Sequence, residues 1–115
     1  MTVDQSEFPP IPVSGRRLMK AEIWALAALY WPLSEVENAV EVAQLESGFW
    51  TAAWNQQNED SRGLWQINVA RGAHPDLKAD NLWDPQINAF YAASIWRASG
   101  WTAWYNSAKK LGLIT

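Results

Sequence analysis

Glu46 is the residue whose surroundings point most clearly to chemistry. At helical spacing its neighbours on the same face are Ala39, Val42 and Ala43, all of them apolar. Burial beside such a stripe disfavours the ionised carboxylate, and the negative end of a helix dipole acts in the same direction. A carboxyl group that keeps its proton at neutral pH is suited to general-acid catalysis.

A second group of reactive and polar residues follows along the chain. Two acids, Glu59 and Asp60, lie in a polar stretch that leads into Gly63-Leu64-Trp65-Gln66-Ile67-Asn68. Gln66 and Asn68 alternate along a predicted strand, so their amides would point to the same face. We expect that face to be part of a polar cleft.

The segments Glu46-Ser47-Gly48-Phe49 and Gly63 to Asn68 together resemble the active-site signature of lysozyme-like glycosidases and lytic transglycosylases. Ala103-Trp104-Tyr105-Asn106 is similar to a third transglycosylase motif, whose tyrosine lies close to the catalytic glutamate. The resemblance implies a mainly α-helical, α+β lysozyme-like fold with a small β-hairpin flanking a saccharide cleft. It also implies that Glu46 is catalytic, that bacterial peptidoglycan is the substrate and that no cofactor is needed.

The second catalytic acid is where the sequence departs from the animal-type lysozymes. Those enzymes carry a carboxylate two residues before the motif glycine, where this chain has Ser61. Either Asp60 or Glu59 would have to be displaced into that role. Lytic transglycosylases instead use one glutamate, together with the N-acetyl group and the 6-hydroxyl of the substrate. The resemblance therefore favours a transglycosylase acting on the bond between N-acetylmuramic acid and N-acetylglucosamine, and leaves hydrolysis open.

Nine tryptophans are many for 115 residues. Most are expected in the core, because an indole carries a large apolar area and needs only one hydrogen-bond partner. A few would line the cleft and stack on sugar rings, with Trp65 and Trp104 as the best candidates, while Tyr105 is equally suited to the core. The predicted substrate-binding residues are Ser61, Trp65, Gln66, Asn68, Trp104 and Tyr105.

The elements that must position these residues are mostly helices. Residues 21–31 predict a buried helix that Pro32 ends, far shorter than the ~20 residues of a membrane span. Ser34 and Glu37 form a capping-box pattern that predicts a second helix, ending at Gly48.

The rest of the chain predicts a hairpin and a third helix. The polar residues 51–62 suit a hairpin or loop. Asp84 and Pro85 predict a helix start, and the helix would bury Ile87, Tyr91, Ile95 and Ala98 and end near Gly100. The proline-containing residues 1–20 predict a tail or linker, and residues 21–115 a single catalytic domain.

Composition limits the partners. A net charge of −3 gives no reason to bind nucleic acid or an anionic membrane, and no membrane insertion is expected. Without cysteine, the single histidine, His74, cannot form a zinc site of the usual kind.

The expected setting is a bacteriophage. The segment from Ser61 to Asn68, followed by His74-Pro75, resembles domains of phage tail and lysis proteins. The N-terminus lacks the pattern of a signal peptide. We therefore expect a virion protein, with other virion proteins as possible partners, or a lysis protein released through a phage-made membrane lesion. The alternative is an inactive module that only binds the cell wall.

Overall fold

The computed structural model describes residues 15–70 and 79–115, which form a helical domain with a small sheet. Four α-helices surround the core, and three two-residue strands form the sheet. The helices are α1 (Lys20–Tyr30), α2 (Leu33–Ser47), α3 (Pro85–Ser99) and α4 (Tyr105–Leu111). The strands are β1 (Trp54–Asn55), β2 (Ser61–Arg62) and β3 (Ile67–Asn68), and two 3-10 helices cover Ala79–Trp83 and Gly100–Trp104. Together they confirm the predicted α+β lysozyme-like fold.

The turn between α1 and α2 follows from Pro32. The Trp31 N–H closes α1 on the Ala27 carbonyl at 2.8 Å, and Pro32 then serves as the N-cap of α2 with φ of −60°. The predicted capping box at Ser34 and Glu37 is wrong, because Ser34 lies inside the first turn of α2 and no side chain caps that helix. Pro32 cannot continue α1, and its extended backbone, with ψ of 150°, is typical of an N-cap, so α2 begins at the next residue without a side-chain cap.

The N-terminal boundary lies earlier than predicted. Leu18 is buried in the core, and its N–H donates to the Phe49 carbonyl at 2.9 Å. Arg17 forms an isolated antiparallel bridge with Trp50. Residues 16–20 are therefore part of the domain rather than of a tail, and the proline-rich residues 1–14 lie outside the described residues. None of the helices in the described ranges has the length and apolar content needed to cross a membrane.

Helix α3 starts and stops where the sequence predicts, but it buries a different face. The Asp84 carboxylate accepts from the Gln86 and Ile87 N–H groups, Pro85 occupies the first turn, and Gly100 ends the helix. The buried residues are Asn88, Ala89, Ala92 and Ala93, whereas Ile87, Tyr91 and Ile95 are half-buried and Ala98 is exposed. Three alanines and one asparagine give little hydrophobic signal, so the larger side chains indicated the wrong face.

The sheet is antiparallel in the order β1, β2, β3. Trp54 pairs with Arg62, and Ser61 pairs with Asn68. The predicted hairpin is therefore present, and a tight turn that begins at Gly63 adds the third strand. Gly63 has φ of +80°, a conformation that residues with a Cβ rarely adopt.

Asn88 fixes that turn to the helical part of the domain. Its side-chain oxygen accepts from the Trp65 N–H at 2.8 Å, and its amide donates to the carbonyls of Arg62 (2.9 Å) and Leu82 (3.1 Å). Asn88 is fully buried, so without its side chain these backbone groups would have no water as a substitute hydrogen-bond partner. A Cβ on Gly63 would stand 2.3 Å from the Asn88 amide nitrogen, which explains why only glycine fits there.

Asn88→Ala should lower the free energy of unfolding by about 3 kcal/mol or more, because each buried backbone group left without a partner costs roughly 1–3 kcal/mol. Denaturant unfolding followed by tryptophan fluorescence would measure the loss. Asn106→Ala, which changes an exposed asparagine in α4, is the matched control and should be near neutral. Equal stability of the two variants would show that Asn88 does not hold the turn.

Candidate active site

Glu46 occupies the last turn of α2, as the sequence predicts. Gly48 ends the helix in the left-handed conformation with φ of +60°, and its N–H donates to the Gln44 carbonyl at 2.9 Å. Ala39, Val42 and Ala43 are fully buried, while the Glu46 side chain is half-buried. The carboxyl group therefore lies where an apolar core meets solvent.

Ser107 from α4 contacts the carboxyl group directly. Its hydroxyl donates a hydrogen bond to Glu46 Oε2, and Ser107 itself is buried. Tyr105, predicted for this neighbourhood, is 56% exposed, and its hydroxyl accepts from Lys109 Nζ at 3.2 Å. Residues two apart on a helix point about 200° away from each other, so α4 can direct only one of the pair at Glu46. The sequence motif predicted Tyr105 near Glu46 and gave no indication of Ser107.

Burial raises the pKa of Glu46. The hydrogen bond from Ser107 opposes that rise because it stabilises the ionised form. The negative charge of Glu59 adds to the rise, which places Glu59 within electrostatic reach of Glu46. The net change raises the pKa above that of a solvated glutamate, which is the direction that a general acid requires.

The side chains of the hairpin between β1 and β2 form two groups, one on each face. Asn55 donates to Glu59 Oε1 at 3.0 Å, and the Ser61 hydroxyl donates to Glu59 Oε2. Asn55, Ser61 and Glu59 therefore form one group, and Glu59 is the member that raises the pKa of Glu46. Because successive residues of a strand point to opposite faces, Trp54 and Arg62 lie on the other side of the hairpin.

Asp60 belongs to that other side. Its carboxylate accepts from Arg62 Nε at 2.7 Å and from Trp54 Nε1 at 2.9 Å. The hydrogen bond from Arg62 is the main reason that the pKa of Asp60 is lowered. Arg62 also binds Asp80 at 2.8 Å and lies over the Trp54 ring at 4.7 Å from its centre. An ion-paired carboxylate in this position is a structural anchor, so Glu59 is the better placed of the two predicted acids.

Gln66 and Asn68 do not share a strand face, contrary to the prediction. Gln66 lies in the turn with φ of +51°, and its amide donates to the carbonyls of Ala53 (2.9 Å) and Gly63 (3.0 Å). Asn68 uses its side-chain oxygen to accept from the N–H groups of Asp60 and Ala70. Both amides therefore hold the sheet in shape, and β3 begins only after Gln66.

The two indoles predicted to stack on sugar are buried instead. Trp65 is fully buried and donates to the Ala39 carbonyl at 2.9 Å, and Trp104 is buried and donates to the Trp65 carbonyl at 2.7 Å. Neither ring has a free face, so the prediction that they line the cleft is wrong. Trp31, Trp83 and Trp101 are also buried, which confirms that most of the tryptophans serve the core.

Ser61 is likewise buried and acts through Glu59 rather than facing a ligand. Ser107 thus bonds Glu46, Ser61 bonds Glu59, and the two carboxyl groups interact electrostatically. Within the described ranges, no three acidic or histidine side chains are arranged to hold a metal ion, and His74 lies outside those ranges.

Comparison with known families agrees with this arrangement. Residues 32–106 match the family model described as "Lysozyme like domain", a range that contains α2, the sheet, α3 and the first residues of α4. No curated protein and no solved structure matches the chain at a significant level. Because the family match covers well over half of the sequence and includes the half-buried glutamate and the hairpin beside it, the chain belongs to the lysozyme-like domain family.

Proposed function

We propose that this chain cleaves the β-1,4 bond between N-acetylmuramic acid and N-acetylglucosamine in peptidoglycan, with Glu46 as the general acid. Membership of the lysozyme-like family indicates peptidoglycan-lytic activity in general. The observation that carries the specific proposal is the half-buried carboxyl of Glu46, whose pKa is raised by burial. Protonated Glu46 donates its proton to the glycosidic oxygen, and the bond to the leaving sugar breaks.

Lytic transglycosylation is the favoured route. In this route the substrate's N-acetyl oxygen stabilises the positive charge that develops at C1. The ionised Glu46 then accepts the proton of the 6-hydroxyl as that oxygen attacks C1, which gives a 1,6-anhydro sugar and returns the proton to Glu46. The route needs one acid, which suits a site where Ser61 replaces the usual second carboxylate and Asp60 is ion-paired. Ser107 would hold the carboxylate in place between the two proton transfers.

Hydrolysis is the second candidate, because Glu59 lies within electrostatic reach of Glu46. A retaining hydrolase needs its second carboxylate about 5–5.5 Å from the acid, and an inverting one about 6.5–9.5 Å away. Asn55 and Ser61 bind both oxygens of Glu59 and would fix its orientation for that role. The nature of the product decides between the two routes.

The rival without catalysis is a wall-binding module that retained only the fold. Retention of Glu46 against an apolar face, with a hydroxyl bound to it, supports catalysis instead. A phage virion or lysis protein remains our expected setting, and it rests on the sequence resemblance alone.

Glu46→Gln should reduce lysis of purified cell walls, followed by turbidity, by about 10²–10⁴-fold, the usual contribution of general-acid catalysis. Glu37→Gln, an exposed change on the same helix, is the control and should leave lysis unchanged. Lysis within a few-fold of wild type in Glu46→Gln would exclude Glu46 as the acid.

The same variant should be at least as stable as wild type at neutral pH. A carboxyl whose folded pKa is raised binds its proton more tightly in the folded state, so its ionisation destabilises the fold as pH rises above its ordinary value of 4.5. Glutamine removes that penalty. The melting temperature of Glu46→Gln relative to wild type should therefore increase from pH 4 to pH 7, and a decrease would contradict the burial argument.

Ser107→Ala should move the alkaline limb of the pH dependence of kcat/KM to higher pH and lower kcat. The hydroxyl stabilises ionised Glu46, so its loss raises the pKa further and leaves the carboxyl less well oriented. Ser99→Ala, an exposed serine that bonds a helix carbonyl, is the control. An unchanged alkaline limb in Ser107→Ala would mean that the hydroxyl does not act on Glu46.

Glu59→Gln and Asp60→Asn separate the two routes. Mass spectrometry of the released muropeptides should show 1,6-anhydro ends for wild type and for both variants. Glu59→Gln should also move the alkaline limb to lower pH, because a negative charge beside Glu46 is removed. Products with free reducing ends that disappear only in Glu59→Gln would instead establish hydrolysis with Glu59 as the second acid.

A further inference from the structure

A concave site lies between the end of α1, the first 3-10 helix and the first half of α3. Its volume is about 360 Å³, within the usual range of small-ligand pockets. The described residues that line it comprise three aromatic rings, one aliphatic side chain and three polar side chains: Tyr30, Phe90, Tyr91, Ile87, Asn81, Asp84 and Gln86. None of these residues belongs to the group around Glu46.

The pocket is well separated from Glu46. Tyr30 closes α1 just before α2 begins, whereas Glu46 lies at the far end of α2. A helix of 15 residues is about 22 Å long. A ligand in the pocket therefore cannot touch the catalytic carboxyl unless it extends for several sugar units.

The aromatic rings of the pocket contact one another. Phe90 packs edge-to-face against Tyr30 at 5.7 Å between ring centres and against Tyr91 at 5.3 Å. The Tyr30 hydroxyl accepts from the Gln86 amide at 3.0 Å. Phe90 is nevertheless 46% exposed, so part of this large apolar ring lies open to solvent in the pocket.

The side chains that line the pocket indicate the charge and shape of the ligand that it can bind. Among the described residues, none of those that line the pocket is a lysine or arginine, and the Asp84 carboxylate disfavours an anion. Aromatic rings offer flat apolar faces, and the carboxylate and amide offer hydrogen-bonding groups at the rim. A neutral pyranose has apolar C–H faces and a rim of hydroxyl and acetamido groups, which matches that lining.

We propose that this pocket is a second saccharide site, which binds uncharged N-acetylglucosamine units of a glycan strand away from the catalytic cleft. The proposal rests on the proposed function, because it takes the glycan strand as the substrate. The muramic acid units carry a carboxylate or a peptide at their lactyl group, so the uncharged units fit the pocket better. The site anchors the domain on polymeric cell wall and adds nothing to the cleavage of a short soluble glycan.

The test uses the full chain with Glu46→Gln, so that added glycan is not consumed. Titration with N-acetylglucosamine tetrasaccharide, followed by amide NMR, should shift the signals of Gln86, Phe90 and Tyr91. Adding Phe90→Ala should weaken binding at those signals by roughly 3- to 10-fold, the scale of one lost aromatic contact. The matched control is Trp24→Ala, which removes an aromatic ring that is 44% exposed and lies outside the pocket.

Activity provides an independent readout. In the otherwise wild-type chain, Phe90→Ala should slow lysis of insoluble cell walls several-fold, leave cleavage of short soluble glycan fragments unchanged and keep the melting temperature. Absence of pocket shifts, or lysis by Phe90→Ala equal to that by Trp24→Ala, would overturn the second site while leaving the proposed function intact. Failure of the wild-type chain to lyse walls would instead refute the proposed function, and the pocket shifts would still report whether the site binds sugar.

Discussion

The hydrogen bonds of Asn88 are the constraint on which the geometry of the site depends. One buried amide joins the turn before β3, the first 3-10 helix and α3 through three bonds. The sheet has only two residues in each strand, so it has too few ladder bonds to fix its own orientation. Asn88 supplies that orientation from the helical core, and the absence of a Cβ at Gly63 makes the close approach possible.

The two acids that directly precede β2 have different partners, because side chains alternate in direction along an extended segment. Adjacent in sequence, Glu59 and Asp60 are bound by different groups of side chains. Glu59 is held by neutral donors and acts on Glu46, whereas Asp60 is paired with the guanidinium of Arg62. Arg62 also bonds Asp80 and lies over Trp54, so this side of the hairpin is a charged and aromatic anchor. The negative charge near Glu46 therefore comes from Glu59, because the charge of Asp60 is paired with Arg62.

The distribution of tryptophans shows how a small domain without cysteine builds its core. Trp31, Trp65, Trp101 and Trp104 form one chain of ring contacts, with centres 5.2–6.0 Å apart. Trp65 and Trp104 also bond backbone carbonyls, which joins α2, the turn after Gly63 and the second 3-10 helix. The exposed aromatic side chains lie elsewhere, and among them Phe90 lines a pocket remote from Glu46.

The sequence by itself determined the elements and the position of Glu46 at the end of α2. Proline and glycine punctuation and the Asp84 cap are local signals, so α1, α2 and α3 were predicted within a few residues. The apolar stripe before Glu46 is also local, because residues three and four apart on a helix share a face. Both the family resemblance and the acid at the end of α2 could therefore be inferred from the printed chain.

Only the tertiary structure decided which side chains meet that acid. Ser107 reaches Glu46 across 61 positions, and the exposure of Trp65, Trp104 and Tyr105 depends on how separate elements pack. The buried face of α3 was hidden because alanine and asparagine carry almost no hydrophobic pattern. Gln66 and Asn68 look like ligand-binding amides in sequence, but the short sheet needs them to satisfy its own backbone groups. A motif names the residue types present, whereas packing decides whether a side chain faces solvent, a neighbouring element or the carboxyl group of Glu46.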